Sequence, residues 1–377
     1  MRILVAPDSF KGSLSAISFC DTAERALRSR FPMAEIVCVP MADGGEGTCE
    51  ALARATGGKL IFYPSFDPLG RPITAFFAML PGSMAAVEIA AASGLPLVAP
   101  AERDIFRASS FGTGLLLRAA LDALWKQKSD LPPRLIIGLG GSATCDGGAG
   151  ILQALGARLT DGQGHDVPAD AEGLRLVEQI DPTSLDPRLA QTELIVACDV
   201  TAPLCGPLGA SAVFAPQKGA LPEQVPILDG LLRHWGELLR RDLHADVAEY
   251  PGSGAAGGAG AALRALGGQI RPGFDVLCDV TGLARLLEEK PFDLLITGEG
   301  QLSAQTKMGK LPARLAEKAK RSGVHTVAVV GAVATDGGDA ASLFDRVIPL
   351  CAGDITPEYS MTHAAELLDR ALRESEL

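Results

Sequence analysis

Aromatic rings and histidines are scarce in this chain: two tryptophans, three tyrosines and five histidines serve 377 residues. Basic side chains are also in deficit, 34 against 45 acidic ones, for a net charge of −11. A nucleic-acid surface needs a basic patch interleaved with stacking rings, so that class of partner is excluded. His165, His234, His244, His325 and His363 fall at no metal-binding spacing, and His234 reads as lying on a solvated helix face. Eight cysteines (Cys20, Cys38, Cys49, Cys145, Cys198, Cys205, Cys278 and Cys351) include no CxxC pair and read as buried, reduced thiols. There is no Gly-x4-Gly-Lys-Ser/Thr and no Gly-x-Ser-x-Gly, which excludes a Walker-type phosphate loop and a hydrolase elbow. No run of 18 apolar residues occurs; the stretch 85–100 is interrupted by Glu88, Gly94, Pro96 and Pro100. The opening Arg2-Ile-Leu-Val-Ala6 lacks a basic-then-apolar leader. The expectation is a soluble, cytoplasmic protein without membrane or nucleic-acid partners, its oligomeric state, a homo-oligomer included, left open.

What is present is apolar bulk and glycine. Hydrophobic residues make up 47% of the chain and glycines number 43. At roughly 150 residues per domain the length predicts two or three domains. Both chain ends alternate strand and helix patterns. Strands are predicted at 2–6, 35–40, 293–297, 325–330 and 346–350, with helices starting from Ser13 or Ser15, over 46–56, over 311–321 and after Pro357. The middle differs, with a hairpin over 73–80 and 84–89, strands at 134–138 and 194–198, a helix over 224–241 and the small-residue tract 251–260. Near-continuous apolar strands imply a parallel sheet covered on both faces. The predicted fold is therefore α/β: a Rossmann-like doubly wound parallel sheet from residues 1–67 and 286–377, with a second α/β domain, 68–285, inserted and an active-site cleft between them.

The segment Gly138-Leu-Gly-Gly-Ser-Ala-Thr-Cys-Asp-Gly-Gly-Ala-Gly150 follows an apolar strand and precedes the helical run Ile151–Leu155 closed by Gly156. Such a turn lets backbone amides approach a phosphate at the positive end of a helix dipole. Asp146 would repel that phosphate unless a divalent cation stood between them, so the segment suggests phosphate with metal. Further loops gather carboxylates, lysines and glycines at strand ends: Pro7–Gly12, Ala42–Gly47, Gly298–Gln301 with Thr306, Gly309 and Lys310 beyond, Gly331–Gly338, Cys198–Thr201 and Pro216–Gly219. Each alone has an ordinary explanation in turn and cap chemistry. Their concentration favours a site, because ligands of open α/β sheets sit at the carboxyl ends of strands. One rival stands. Gly138–Ala143 also fits the dinucleotide fingerprint, with Asp161 about 20 residues on as the ribose acid.

The blocks Ala6-Pro-Asp-Ser-Phe-Lys-Gly-Ser-Leu-Ser-Ala16, Pro40-Met-Ala-Asp-Gly-Gly-Glu-Gly-Thr48, Gly138–Gly150, Asp199-Val-Thr-Ala-Pro-Leu204, Val213-Phe-Ala-Pro-Gln-Lys-Gly-Ala220 and Gly254-Ala-Ala-Gly-Gly258 together resemble the bacterial glycerate kinases. The class is the one related to the glycerate 2-kinases of glycerate and glucarate breakdown. The resemblance covers essentially the whole chain. It implies ATP-dependent, Mg²⁺-assisted phosphorylation of D-glycerate at O2, with O3 as the alternative, and the split Rossmann-like domain with an insertion. Four positions depart from the family pattern: Cys145 and Ala202 stand where it has Asn, and Gln301 and Ser303 stand in Gln301-Leu302-Ser303 where it has Arg-Leu/Ile-Asp.

Roles follow as expectations. Gly140, Gly141, Ser142 and Gly147 would hold ATP phosphates, and Asp146 and Asp199 the Mg²⁺. Lys218 and Lys310 would stabilise the transferred group. Arg71 and Lys11 would hold the glycerate carboxylate, with Glu46, Gln217, Glu299 and Thr306 also at the substrate. Asp8 would orient or deprotonate the attacking hydroxyl, with Asp43 second in line.

Overall fold

A computed structural model describes residues 1–127, 129–289, 292–307 and 311–377. The chain divides into two compact units: 1–42 with 50–57 and 277–377, and 43–49 with 58–276.

In the first unit five strands form one parallel sheet. Their spatial order is Arg346–Pro349, His325–Val333, Leu294–Leu302, Arg2–Val5 and Glu35–Cys38. Both faces are apolar because alternate residues point to opposite sides. Val327 and Val329 join the core shared with Phe19, Leu27 and Leu368, whereas Ala328 and Val330 pack with Ala316 and Phe344. Helix Ala16–Arg30 supplies Phe19 and Leu27 and starts at Ser15, whose Oγ accepts Ser18 N–H at 3.0 Å. Each fully buried leucine of this kind stabilises the unit by about 2 kcal/mol.

Of the predicted strand-end loops, Gly298–Gln301 is strand, and Gly331–Gly338 is strand through Val333 with a loop at 334–337. Gly298–Leu302 continues the strand begun at Leu294, and Gly331 lies inside His325–Val333, the two paired through Leu302↔Val333. A side chain at Gly331 would stand 2.3 Å from the Gly300 carbonyl oxygen. The glycines there permit a close strand pairing; they do not make a turn.

The second unit holds a mixed sheet of six strands in the order Gln269–Arg271, Glu193–Ala197, Arg134–Gly138, Met84–Glu88, Pro72–Leu80 and Lys59–Phe66. The first four run parallel and the predicted hairpin supplies the next antiparallel pairing. Lys59–Phe66 has no counterpart in the sequence expectation. Pro64 argues against a central strand, and it is tolerated because this strand is the sheet's edge. Helices Phe111–Lys126 and Ala149–Ala154 lie in one apolar core with the sheet, through Leu117, Leu121 and Ile151. Helix Val225–Asp242 buries Leu228, Leu232, Trp235 and Leu239 in another. His234 on that helix is half-buried, its Nε2 2.8 Å from the Val177 carbonyl, so it does not lie on a solvated face.

The four parallel strands end in register at Glu88, Gly138, Ala197 and Arg271. Their carboxyl ends therefore open onto the same edge of the sheet, and the site is built there.

Candidate active site

Two glycine-rich segments far apart in sequence meet at that edge. Gly140 N–H donates to the Gly44 carbonyl at 3.0 Å. A side chain at Gly138 would lie 2.4 Å from the Gly44 oxygen, and one at Gly140 would lie 2.5 Å from the Gly45 α-carbon. Backbone thus crosses backbone, and only glycine fits at either position.

The segment 141–144 is then pinned from its other side. Leu95 N–H donates to the Gly141 carbonyl and Ala143 N–H to that of Ser93, both at 2.9 Å. Lys218, 4% exposed, donates from Nζ to Ser142 Oγ at 2.8 Å and to the Thr144 carbonyl at 2.7 Å. Both acceptors are neutral. Burial pulls the Lys218 pKa down to about 8, against the raising influence of Cys145 and Asp146. Among the described residues neither the Gly141 nor the Ser142 amide has an acceptor. A desolvated ammonium near two N–H groups without an acceptor has the chemistry of an anion cradle.

A cavity of about 340 Å³ opens over this cradle. Asp43, Gly140, Gly141, Ser142, Asp199, Gln217 and Lys218 line it, so seven residues selected from the sequence converge inside the second unit. Its apolar walls come from Leu95, Leu139, Val200 and Phe214 with Ala255 and Ala256, none of which the sequence marked individually. Ala256 holds a left-handed backbone, φ 53°, costly for a side-chain-bearing residue. Cys198 also lines the cavity, and burial pushes its thiol up to about 11.

Asp146 lies elsewhere. It is fully buried, with Oδ2 accepting from Ser110 N (2.8 Å), Ser110 Oγ (2.7 Å) and Gly150 N (3.2 Å), and Oδ1 from Gly148 N (3.1 Å). Burial raises its pKa while these donors oppose the rise. This carboxylate holds the Gly150 N–H in the first turn of helix Ala149–Ala154 and does not line the cavity, so the structure does not bring Asp146 to the expected Mg²⁺ position. The helix start is satisfied from within the protein and offers nothing to a phosphate. The same holds of Gly147: its N–H donates to the Gly257 carbonyl, and its own carbonyl accepts Trp235 Nε1 at 2.9 Å. The dinucleotide reading of Gly138–Ala143 loses its basis too, since the glycines serve the backbone crossing and the helix is only six residues long.

Arg71 does not reach the cavity either. Its guanidinium binds Asp67, Glu102 (3.1 Å) and the Leu97 carbonyl (3.1 Å), and the two carboxylates, Asp67 first, hold its pKa up. A clamp on glycerate would have to break these pairs. Glu46 is exposed and absent from the cavity lining.

In the first unit Asp8 follows strand Arg2–Val5, its Oδ1 accepting Ser9 N–H at 2.7 Å, and Lys11 is exposed. Glu299 is buried in its strand and accepts Thr306 Oγ1 at 2.6 Å, and Thr306 Oγ1 also accepts Ser303 N–H. Lys310 lies outside the described residues. Cys145 is buried, its Sγ 3.7 Å from Ser211 Oγ and absent from the cavity lining.

The glycerate kinase family model matches residues 3–375. A glycerate kinase of Bacillus subtilis (strain 168) is 40% identical over 377 residues, 99% of this chain and 96% of that protein. A glycerate 2-kinase of Escherichia coli (strain K12) is 42% identical over 340 residues, 90% of this chain and 87% of that protein. A crystal structure from Salmonella typhimurium LT2, of a protein provisionally named glycerate kinase 2, superposes with a TM-score of 0.84 at 42% identity, covering 99% of this chain and 96% of that one. The chain therefore belongs to the glycerate kinase family of phosphotransferases.

Proposed function

We propose that the chain transfers the γ-phosphoryl group of ATP to D-glycerate, with the 2-hydroxyl as acceptor. The observation that carries this reading is the cavity lined together by Lys218, Gly141, Ser142, Asp43 and Asp199. Phosphoryl transfer is chiefly positioning and charge neutralisation, and those are the resources gathered there. Lys218 and the two amides hold phosphate oxygens. The apolar walls exclude water and accept the rest of the nucleotide. Asp43 orients the attacking hydroxyl and takes up its proton.

Magnesium fits the same residues. An ion carried in by ATP keeps most of its shell as water and phosphate oxygen and needs only one or two protein carboxylates. Among the described residues no group of three or more His, Cys, Asp or Glu side chains could hold a metal ion unaided. Asp199, with Asp43 beside it, would hold an ion brought by the nucleotide, and that ion would supply neutralisation of phosphate charge.

The expected roles of Asp8 at the attacking hydroxyl, of Lys310 at the transferred group, and of Lys11, Glu46, Gln217, Glu299 and Thr306 at the substrate belong to this proposal. So do the doubly wound domain of 1–67 and 286–377 around 68–285, a cytoplasmic setting and self-association. O2 is preferred over O3 because the Escherichia coli relative is named a glycerate 2-kinase. Incubation with D-glycerate and Mg–ATP, followed by ³¹P NMR of the product, tests both levels. 2-Phosphoglycerate is expected. 3-Phosphoglycerate overturns the regiochemistry, and the absence of glycerate-dependent ADP release overturns the activity.

A further inference from the structure

An acid inside the apolar run Ala85-Ala-Val-Glu-Ile-Ala90 needs a reason, because a buried carboxylate is costly without donors. Glu88 is 2% exposed at the carboxyl end of its strand. Its Oε1 accepts Gly47 N–H at 3.2 Å and its Oε2 accepts Cys49 N–H at 2.8 Å. Across the parallel pairing its partner is Gly138, the residue that makes room for the Gly44 carbonyl.

The segment 43–49 is thereby fastened at both ends. Gly140 N–H takes the Gly44 carbonyl at one end, and the Glu88 carboxylate takes two amides at the other. Between them Thr48 Oγ1 donates to the Gly45 carbonyl at 2.7 Å, and Gly45 N–H donates to Asp43 Oδ1 at 3.0 Å. Asp43, at the head of this segment, faces the cavity. We propose that Glu88 is a positioning residue of the reaction: it holds segment 43–49 against Gly138–Gly140 and so fixes Asp43 over the anion cradle. This rests on the role given to Asp43 above.

A double-mutant cycle tests it. Glu88→Gln keeps the volume but sets an NH₂ against one of the two amides. Acting through Asp43, it should lower kcat about tenfold with the KM for ATP little changed, yet less than about twofold in the Asp43→Asn background. Hydrogen exchange of the 43–49 amides should quicken at least about tenfold, while exchange in strand 193–197 stays as it was. If Glu88→Gln does not fold, Glu88→Asp, which keeps the charge but retracts it, takes its place with the same expectations. Equal losses in both backgrounds, or unaltered exchange in 43–49, overturn the proposal. Full activity in Asp43→Asn alone overturns the role given to Asp43. The inference falls with it, but by a distinguishable result, because the exchange measurement reads the clamp independently of turnover.

Discussion

The Nζ of Lys218 lies 2.8 Å from the Oγ of Ser142, a buried ammonium whose hydrogen-bond partners here are a hydroxyl and a backbone carbonyl. Holding a charge there with the pKa drawn from 10.5 to about 8 costs on the order of 3 kcal/mol. In the proposed function a phosphate in the cavity would offset that cost.

The pH dependence follows. Burial lowers the pKa, so the ammonium is lost as pH rises through about 8. The kcat/KM for ATP should fall up to about tenfold per pH unit above that point, with the limb in kcat displaced to higher pH because bound phosphate favours the charged form. Lys218→Met should remove the limb and cost at least about a hundredfold in kcat/KM. Stability moves the other way. Between about 8 and 10.5 the unfolded chain binds more protons at this site, so this residue makes unfolding free energy rise with pH across that window.

Asp146→Asn separates a structural carboxylate from a metal ligand. Four donors converge on the Asp146 carboxylate, so the substitution should destabilise the protein by about 2–4 kcal/mol in denaturant unfolding. The Mg²⁺ concentration giving half-maximal activity should stay put. A shift in that concentration at unchanged stability would restore Asp146 as a metal ligand.

Asp199→Asn should do the reverse. It should raise the Mg²⁺ requirement about tenfold or more, and the unfolding midpoint should move less than in Asp146→Asn, because the Asn Oδ1 can keep accepting the Gly273 N–H that Asp199 Oδ1 accepts at 2.8 Å. Wild-type Mg²⁺ dependence in a folded Asp199→Asn protein would remove this residue from the metal.

Gly147→Ala should act on folding. Its φ is 65°, and a side chain there would stand 2.4 Å from the Trp235 ring, so a loss of about 3 kcal/mol or more is expected. Trp235→Phe, which deletes the N–H bonded to the Gly147 carbonyl, should cost about 1–2 kcal/mol by the same unfolding assay.

Arg71→Ala should leave the KM for glycerate within about twofold of wild type, because Asp67 and Glu102 already occupy the guanidinium. A rise of tenfold would show that the arginine leaves these partners to bind substrate.

Much of the element pattern was legible because local rules wrote it. The 84–88 and 134–138 strands are apolar runs of strand length, and helix Val225–Asp242 shows the helical recurrence of Leu228, Leu232 and Trp235. Lys59–Phe66 escaped notice because Pro64 speaks against a strand everywhere except at an edge, and an edge is a property of the assembled sheet. Gly298–Gln301 misled for the opposite reason, since glycine signals a turn locally but also admits a tightly packed neighbouring strand.

The site divides in the same way. Sequence by itself determined the chemistry on offer: a glycine-rich segment, isolated lysines and aspartates in an acidic chain, and a full-length likeness to glycerate kinases. Tertiary structure alone decided which of these groups face the cavity. Asp146 and Asp199 are the same residue type near similar strand ends, yet one is sealed by four donors and the other lines the cavity. Spacing along a chain does not encode where donors from Ser110, Gly148 and Gly150 converge. Desolvation and hydrogen bonding, which set what a carboxylate or an ammonium can do, exist only once distant segments have packed.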